Sequence, residues 1–201
     1  MQFHKAFSNK LFYTVNLAST HFFYSSGVDM IEKKPGEDDQ NSAILFNSKI
    51  TDVLLKQSLN YKINNNWTLV GGWNMTGHIY LPGKMTAHNF NKDTILGNER
   101  LKALENNLYL ENQFHIQNKL KANVGLNMSS YSISKSTFNS FEPRFLLAYM
   151  PHKKVSIQVG YAKMQQFVHY LSNSGAGLPS DIWVPATNDK RTKKSQQWNA
   201  G

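Results

Sequence analysis

The chain of 201 residues contains no cysteine, few charged residues and no long apolar run. Without cysteine it can form neither a disulfide nor a thiolate metal site, and it has no thiol nucleophile. No stretch approaches the roughly 18 consecutive apolar residues of a transmembrane helix, and the start of the chain lacks the apolar core of a signal peptide. If the protein is secreted or lies in a membrane, we expect its leader to lie outside this sequence.

Charged residues make up only 17% of the chain, below the roughly 25% of soluble domains, and Asn, Ser, Gln and Thr carry much of its polarity. The formal net charge is +9, which would suit a nucleic-acid partner if the basic residues were clustered. They are dispersed, and the densest run, Lys190 to Lys194, indicates a solvated loop or a contact with anionic lipid headgroups. We therefore predict no nucleic-acid partner.

Apolar and polar residues alternate with a period of two in seven segments, whereas helical periodicity is nearly absent. The predicted strands cover residues 11–24, 50–62, 67–80, 106–116, 120–131, 141–149 and 155–166. Short connections at 8–10, 64–66, 117–119 and 151–154 alternate with long ones at 25–49, 81–105, 132–140 and 167–194. All tight turns would then lie at one end of an up-and-down antiparallel sheet, as they do in transmembrane barrels.

The two faces of the predicted strands differ in charge. One parity of the strands is apolar, and its first formal charge is Lys163, eight residues beyond Val155. The facing parity carries the other charges: Asp52, Lys56, Lys62, Glu111, Lys121, Glu142 and Arg144. A soluble β-sandwich also alternates, so parity alone does not decide whether the apolar face meets a core or lipid. The many Asn, Ser, Thr and Gln residues on the charged parity favour a wet barrel lumen.

Aromatic residues on the apolar parity lie within a few residues of the short turns. These are Tyr13, Tyr61, Phe114 and Tyr149. Four rings at one level are typical of a lipid-facing girdle at a membrane interface. The sequence therefore predicts an all-β fold: an antiparallel, up-and-down transmembrane β-barrel segment with about seven to nine strands of a larger barrel.

The sequence offers little support for catalysis. Its seven histidines show no paired metal spacing, and no nucleophile-elbow motif is present. We predict no enzymatic activity, no cofactor and no metal site. Any ligand should bind at the long-loop end, where the candidates are Trp183, Asp181, Tyr170 and Asn173. The alternative for Trp183 is that it packs the loop onto the barrel rim.

Several stretches resemble one protein family. Residues 107–113 (NLYLENQ), followed by 119–126 (KLKANVGL), are similar to a strand pair of TonB-dependent outer-membrane receptors of the Bacteroidetes type. Residues 141–145 (FEPRF) resemble the strand that follows in those barrels, and 160–166 and 171–175 resemble later segments. The most specific stretch is 178–187 (LPSDIWVPAT), which closely matches an extracellular-loop signature of these receptors.

The resemblance implies a role in transport. Such receptors are single-chain barrels of about 22 strands with an N-terminal plug, and they import scarce ligands such as siderophores, glycans or peptides with energy relayed by TonB. Residues 1–201 would be a partial outer-membrane β-barrel domain, without the plug domain and the terminal strands. Its expected partners are outer-membrane lipid of a Gram-negative bacterium, TonB through the missing plug, and an unidentified small-molecule or oligomeric ligand. A passive porin or structural outer-membrane barrel, or a soluble β-sandwich binding module, are the alternatives.

Overall fold

A computed structural model describes residues 1–32, 40–89, 92–117, 119–152, 154–171 and 182–201. The strands found there are β1 (Gln2–Ala6), β2 (Leu11–Glu32), β3 (Gln40–Asn64), β4 (Trp67–Asn89), β5 (Lys92–Leu96), β6 (Leu101–Ile116), β7 (Leu120–Ile133), β8 (Ser136–His152), β9 (Val155–Gln166), β10 (Val168–Leu171), β11 (Ile182–Pro185) and β12 (Lys193–Ala200). Within these ranges no helix has the length and apolarity needed to cross a membrane.

Nine strands form one antiparallel wall in the order β1-β2-β3-β4-β6-β7-β8-β9-β12. The short strand β5 pairs with β4 beside this path, and β10 pairs with β11 in a separate two-stranded sheet. Among the described strands the wall does not close on itself, because β1 and β12 each have a single neighbour in it. This architecture confirms the predicted fold class, an antiparallel β-barrel segment.

The four short turns occur where the sequence predicts them, and side chains of the turns help to form two of them. In the first turn the Leu11 N–H donates to Ser8 Oγ at 3.1 Å, and in the second the Asn66 N–H donates to Asn64 Oδ1 at 2.8 Å. Ser and Asn favour turns because their side chains bond the nearby backbone in this way. These turns join β1 to β2, β3 to β4, β6 to β7 and β8 to β9, so they share one end of the wall, the turn end.

The long connections contain more strand than the sequence predicts. β2 and β3 stay paired as far as Glu32 and Gln40, and β7 turns into β8 after Ile133. The predicted loops at 25–49 and 132–140 are therefore largely hairpin. The alternation of polarity fades in these extensions while the backbone ladder continues, because ladder hydrogen bonds do not require two unlike faces. A prediction based on alternation ends such strands too early.

The two faces of the wall have opposite chemistry. On the convex face Leu108 is 58% exposed and Val124 is 53% exposed, whereas on the concave face Asn127 is only 8% exposed. A cavity of about 660 Å³ on the concave side is lined mainly by polar residues from β2, β3, β4, β6, β7, β8 and β9, including Asn16, Lys56, Asn74, Asn107 and Glu142. The predicted strands thus present mainly their apolar parity outward and their polar parity to this lumen, except at the loop end of β9, where Lys163 and Gln165 also line the cavity.

β8 and β9 separate towards the loop end. Their pairing runs from the last turn to Arg144 opposite Ala162 and stops there. Pro143 is the next residue of β8, and a proline has no N–H to donate to a ladder. Beyond this point β9 pairs with β12 alone, and Phe167 reaches the concave side of the wall.

A hairpin of β10 and β11 follows Phe167 and lies against the inner wall. β11 contacts β3 and β4, and the Ala186 N–H donates to the Phe167 carbonyl at 2.7 Å. The Phe167 ring stacks on Tyr131 with 5.0 Å between ring centroids. Together with Tyr80, Ala103 and Ile133 these two rings form the buried apolar core of the described residues. This core fills the lumen near the loop end.

Candidate functional site

Two of the four predicted ligand-binding residues lie together on the inward hairpin. Tyr170 of β10 and Trp183 of β11 are register partners, and their ring centroids are 5.0 Å apart. Tyr170 is 45% exposed, while Trp183 is half-buried. The other two, Asp181 and Asn173, lie outside the described residues. The pairing of β10 with β11 therefore places two aromatic rings at the mouth of the lumen.

Trp183 faces a cavity between the hairpin and the inner wall, which we name the hairpin cavity. It measures about 390 Å³ and is lined by Thr20, His21, Phe22, Ile50, Asp52, His78, Tyr80, Val168 and Trp183. Three wall strands and both hairpin strands contribute, so the cavity depends on the hairpin folding inward. Sequence alternation contains no signal for this fold-back, because it comes from tertiary contacts of residues far apart in the chain.

A carboxylate–imidazole cluster lies at the wall side of the hairpin cavity. His78 Nδ1 is 2.8 Å from Asp52 Oδ1, and its Nε2 is 3.5 Å from Glu105 Oε2 without forming a hydrogen bond. The Asp52 Oδ2 atom accepts from the Thr20 hydroxyl at 3.4 Å, and the His78 ring stacks on Tyr80 with 5.4 Å between centroids. The sequence does not reveal this cluster, although Asp52 and His78 both lie on the polar parity. Their proximity depends on the register of β3 against β4, which pairs Asp52 with His78.

A second polar network occupies the middle of the lumen. Glu142, which is only 6% exposed, accepts from the Asn127 amide at 3.0 Å and from the Ser129 hydroxyl at 3.3 Å. Asn107 Oδ1 lies 2.6 Å from the same hydroxyl. Buried polar groups are stable in such a place because they bond one another. The lumen therefore presents amide, hydroxyl and carboxylate groups to whatever fills it.

The four predicted girdle residues all belong to the convex parity near the turn end. Tyr61 is 43% exposed and Tyr149 is 47% exposed, while Tyr13 and Phe114 are half-buried. Phe114 lies opposite Trp67 in the register and stacks on it with 5.6 Å between centroids. That these four rings form a lipid-facing girdle stays a prediction.

Uncharged amides also occur on the convex face, and sequence analysis did not identify them. Three of them accept a hydrogen bond from an aromatic residue of a neighbouring strand. The pairs are the Tyr13 hydroxyl with Gln57, Trp67 Nε1 with Asn112, and Trp73 Nε1 with Asn106. A polar group in apolar surroundings is costly unless it is hydrogen-bonded. The aromatic residues thus have a second role, which is to satisfy the amides of the outer surface.

The side chains at the loop end of the lumen are arranged in a way that suits the binding of an organic ligand. Among the residues that the structure describes, no group of three or more His, Asp and Glu side chains is arranged to hold a metal ion. The loop end of the lumen instead offers a half-open aromatic pocket with carboxylates and an imidazole at one side. Such a site can recognise an organic ligand through ring contacts and hydrogen bonds.

Comparison with known proteins identifies the family. The family described as TonB dependent receptor-like, beta-barrel matches residues 2–189. No curated protein and no solved structure matches the chain. Members of the family are transporters of the Gram-negative outer membrane rather than enzymes. With nearly the whole wall and the inward hairpin inside the matched range, this chain belongs to the TonB-dependent receptor-like β-barrel family.

Proposed function

We propose that the chain forms part of the barrel wall and the extracellular loops of a TonB-dependent transporter that imports a scarce ligand across the outer membrane. The observation that carries the proposal is the separation of chemistry between the two faces of a wall of this family. Charged and amide side chains line the concave side. The convex side carries apolar residues and three amides that accept hydrogen bonds from aromatic donors. A lipid-embedded wall around an aqueous lumen requires this arrangement.

We further propose that residues 1–201 are a partial barrel domain within a longer protein. β1 and β12 each leave one edge of the wall without a neighbour. In a bilayer an unpaired backbone group costs several kcal/mol, so a wall that crosses lipid has to close with further strands. A plug domain in the full-length protein would supply the contact with TonB.

The short turns would face the periplasm and the hairpin of β10 and β11 would face the outside. Tyr13, Tyr61, Phe114 and Tyr149 would then contact the inner lipid interface. Trp183 and Tyr170, together with Asp181 and Asn173, would meet the incoming ligand. In this orientation the loop end is the side of the barrel that receives the ligand.

The membrane assignment is tested by two neighbouring substitutions in the full-length protein. Ile157 is 53% exposed on the convex face, and Ser156 is exposed on the concave face. Ile157→Arg should reduce the amount of protein assembled in the outer membrane, because a lipid-facing arginine is destabilising, although at the level of its register partner Tyr149 the cost is below the roughly 2–4 kcal/mol of the bilayer midplane. Ser156→Arg should assemble at the wild-type level. Equal assembly of both variants would contradict the proposal.

Active transport is tested separately by ligand uptake with and without TonB. Uptake by cells that carry the full-length protein should stop when TonB is deleted. Persistence of uptake would instead indicate a passive porin, the alternative that the wall strands by themselves leave open. Detergent-free recovery of the protein in the aqueous fraction would contradict both barrel functions.

A further inference from the structure

We propose that the hairpin cavity binds a small organic cation that carries an aromatic or aliphatic ring. This inference rests on the proposed function, since the ligand would arrive from the extracellular side. It goes beyond that function by naming the chemical class of ligand and the residues that recognise it. The site combines an apolar body with one acidic side, and both parts contribute to the recognition.

The body of the cavity matches a ring. Phe22, Ile50 and Tyr80 line it from the wall, and Val168 and Trp183 line it from the hairpin. Tyr80 is 1% exposed and is packed in the buried core, so this side of the cavity is fixed. A volume of about 390 Å³ admits a ligand with one or two rings. Trp183, held against Tyr170, supplies the face on which a ring or a cationic head can lie.

The acidic side is supplied by the carboxylate–imidazole cluster. Asp52 lines the cavity, and Glu105 lies behind His78 at 3.5 Å from Nε2. Two carboxylates flank one imidazole, so acidic groups outnumber the basic group in the cluster. The His78 side chain is 90% buried (10% exposed), and its Nε2 atom makes no hydrogen bond in the described structure. The unbonded Nε2 atom faces Glu105, behind the cavity lining, whereas Asp52 contributes its carboxylate to the lining itself.

The lining of the hairpin cavity favours a cationic ligand over an anionic one, because the described lining contains no Lys or Arg. The whole chain carries a net charge of +9, yet none of the described residues that line the cavity is Lys or Arg. His21, at its edge, is bonded through Nδ1 to the Thr51 hydroxyl at 2.8 Å. A negative site within a basic protein attracts cations locally, and the low-dielectric apolar walls strengthen that attraction. A neutral saccharide would leave the charge uncompensated.

The test uses three probes that share one ring and differ in the charge of the head group. These are 2-phenylethylamine, 2-phenylethanol and 3-phenylpropionate, titrated by calorimetry into the full-length protein in detergent, with methyl glucoside as a saccharide probe. We expect the amine to bind at least tenfold more tightly than the alcohol and the propionate not to bind. A blank titration into detergent alone measures partition into micelles.

Matched variants connect the preference with the site. Asp52→Asn should remove the preference for the amine, and Trp183→Ala should weaken the amine and the alcohol alike. Asp93→Asn is the control, because Asp93 also pairs with a histidine, His88, but both side chains are 60% exposed and lie outside the cavity. If Asp52→Asn fails to assemble, the wild-type probe series and Trp183→Ala still decide the question.

Three results would overturn the inference. A cation site would be contradicted if the amine and the alcohol bound with equal affinity, if the amine did not bind, or if methyl glucoside bound more tightly than the amine. None of them touches the transporter assignment, which depends on outer-membrane assembly and on TonB-dependent uptake. A failure of the proposed function would instead appear in those two assays, whatever the probes do.

Discussion

The turn end and the loop end of the wall are built on different principles. At the turn end neighbouring strands stay paired, with register shifts between Lys62 and Asn64 and between Tyr149 and His152, and apolar residues such as Leu108 and Val124 lie outward. At the loop end β8 and β9 separate, and the aromatic core lies on the concave side, where Phe167 meets Tyr131. The turn end is stabilised mainly by the backbone hydrogen bonds between its strands, and the loop end by the packing of side chains inside the lumen.

The comparison predicts that losing one aromatic ring affects only the loop end. Phe167→Ala should destabilise the inward hairpin by about 3–5 kcal/mol, because it removes a buried ring that stacks on Tyr131. Hydrogen exchange should then become much faster at the Ala186 amide, which bonds to the Phe167 carbonyl. Phe141→Ala is the control, since the Phe141 ring is 54% exposed on the convex face. Unchanged exchange at Ala186 in Phe167→Ala would show that the hairpin is held by something else.

A glycine in the regular wall offers the second test. A Cβ at Gly72 would lie 2.4 Å from the Gln57 carbonyl oxygen and 2.5 Å from the Tyr109 ring, whereas one at Gly77 would meet nothing within 4 Å. Gly72→Ala should therefore cost about 1–3 kcal/mol through overpacking, and Gly77→Ala should change the stability by less than about 1 kcal/mol. Denaturant unfolding in detergent measures both on the same strand. Equal midpoints for the two variants would mean that Tyr109 and the β3 backbone can yield.

The smallest expected effect concerns the convex face at the turn end. Tyr13→Phe removes the hydroxyl that donates to Gln57, which should lower the free energy of unfolding by about 1 kcal/mol. Tyr61→Phe is the matched control, because no hydrogen bond of the Tyr61 hydroxyl occurs among the residues that the structure describes. The same loss in both variants would indicate that the hydroxyls bond water or lipid headgroups instead.

The sequence predicts the turn end well and the loop end poorly. Period-two alternation identifies the strands, the outward parity and the turns at Ser8 and Asn64, because each depends on residues close together in the chain. Proximity of Asp52, His78 and Glu105 depends on strand register across three strands, which alternation does not specify. The inward course after Phe167 depends on a contact with Tyr131 in another part of the chain.

The candidate site was only partly predictable for the same reason. Trp183 and Tyr170 stand out as aromatic residues in a long polar loop, and they do lie together. Their partners on the wall, Ile50 and Tyr80, have the pattern of ordinary strand residues and become part of a cavity only through the hairpin. Gln57 was missed because a single uncharged amide hardly alters an apolar parity.

The order of the strands in the wall has a consequence for the kinetics of folding. Most neighbours in the wall are also neighbours in the sequence, so hairpins can add to one another with short loop closures. The pair of β9 and β12 is different, because it has to enclose residues 167–192. The entropic cost of closing a loop rises only with the logarithm of its length. If β10 and β11 pair early, fewer residues of 167–192 remain unpaired when β12 joins β9. The separation of β8 from β9 at Pro143 thus gives the intervening segment room to fold before the wall grows past it.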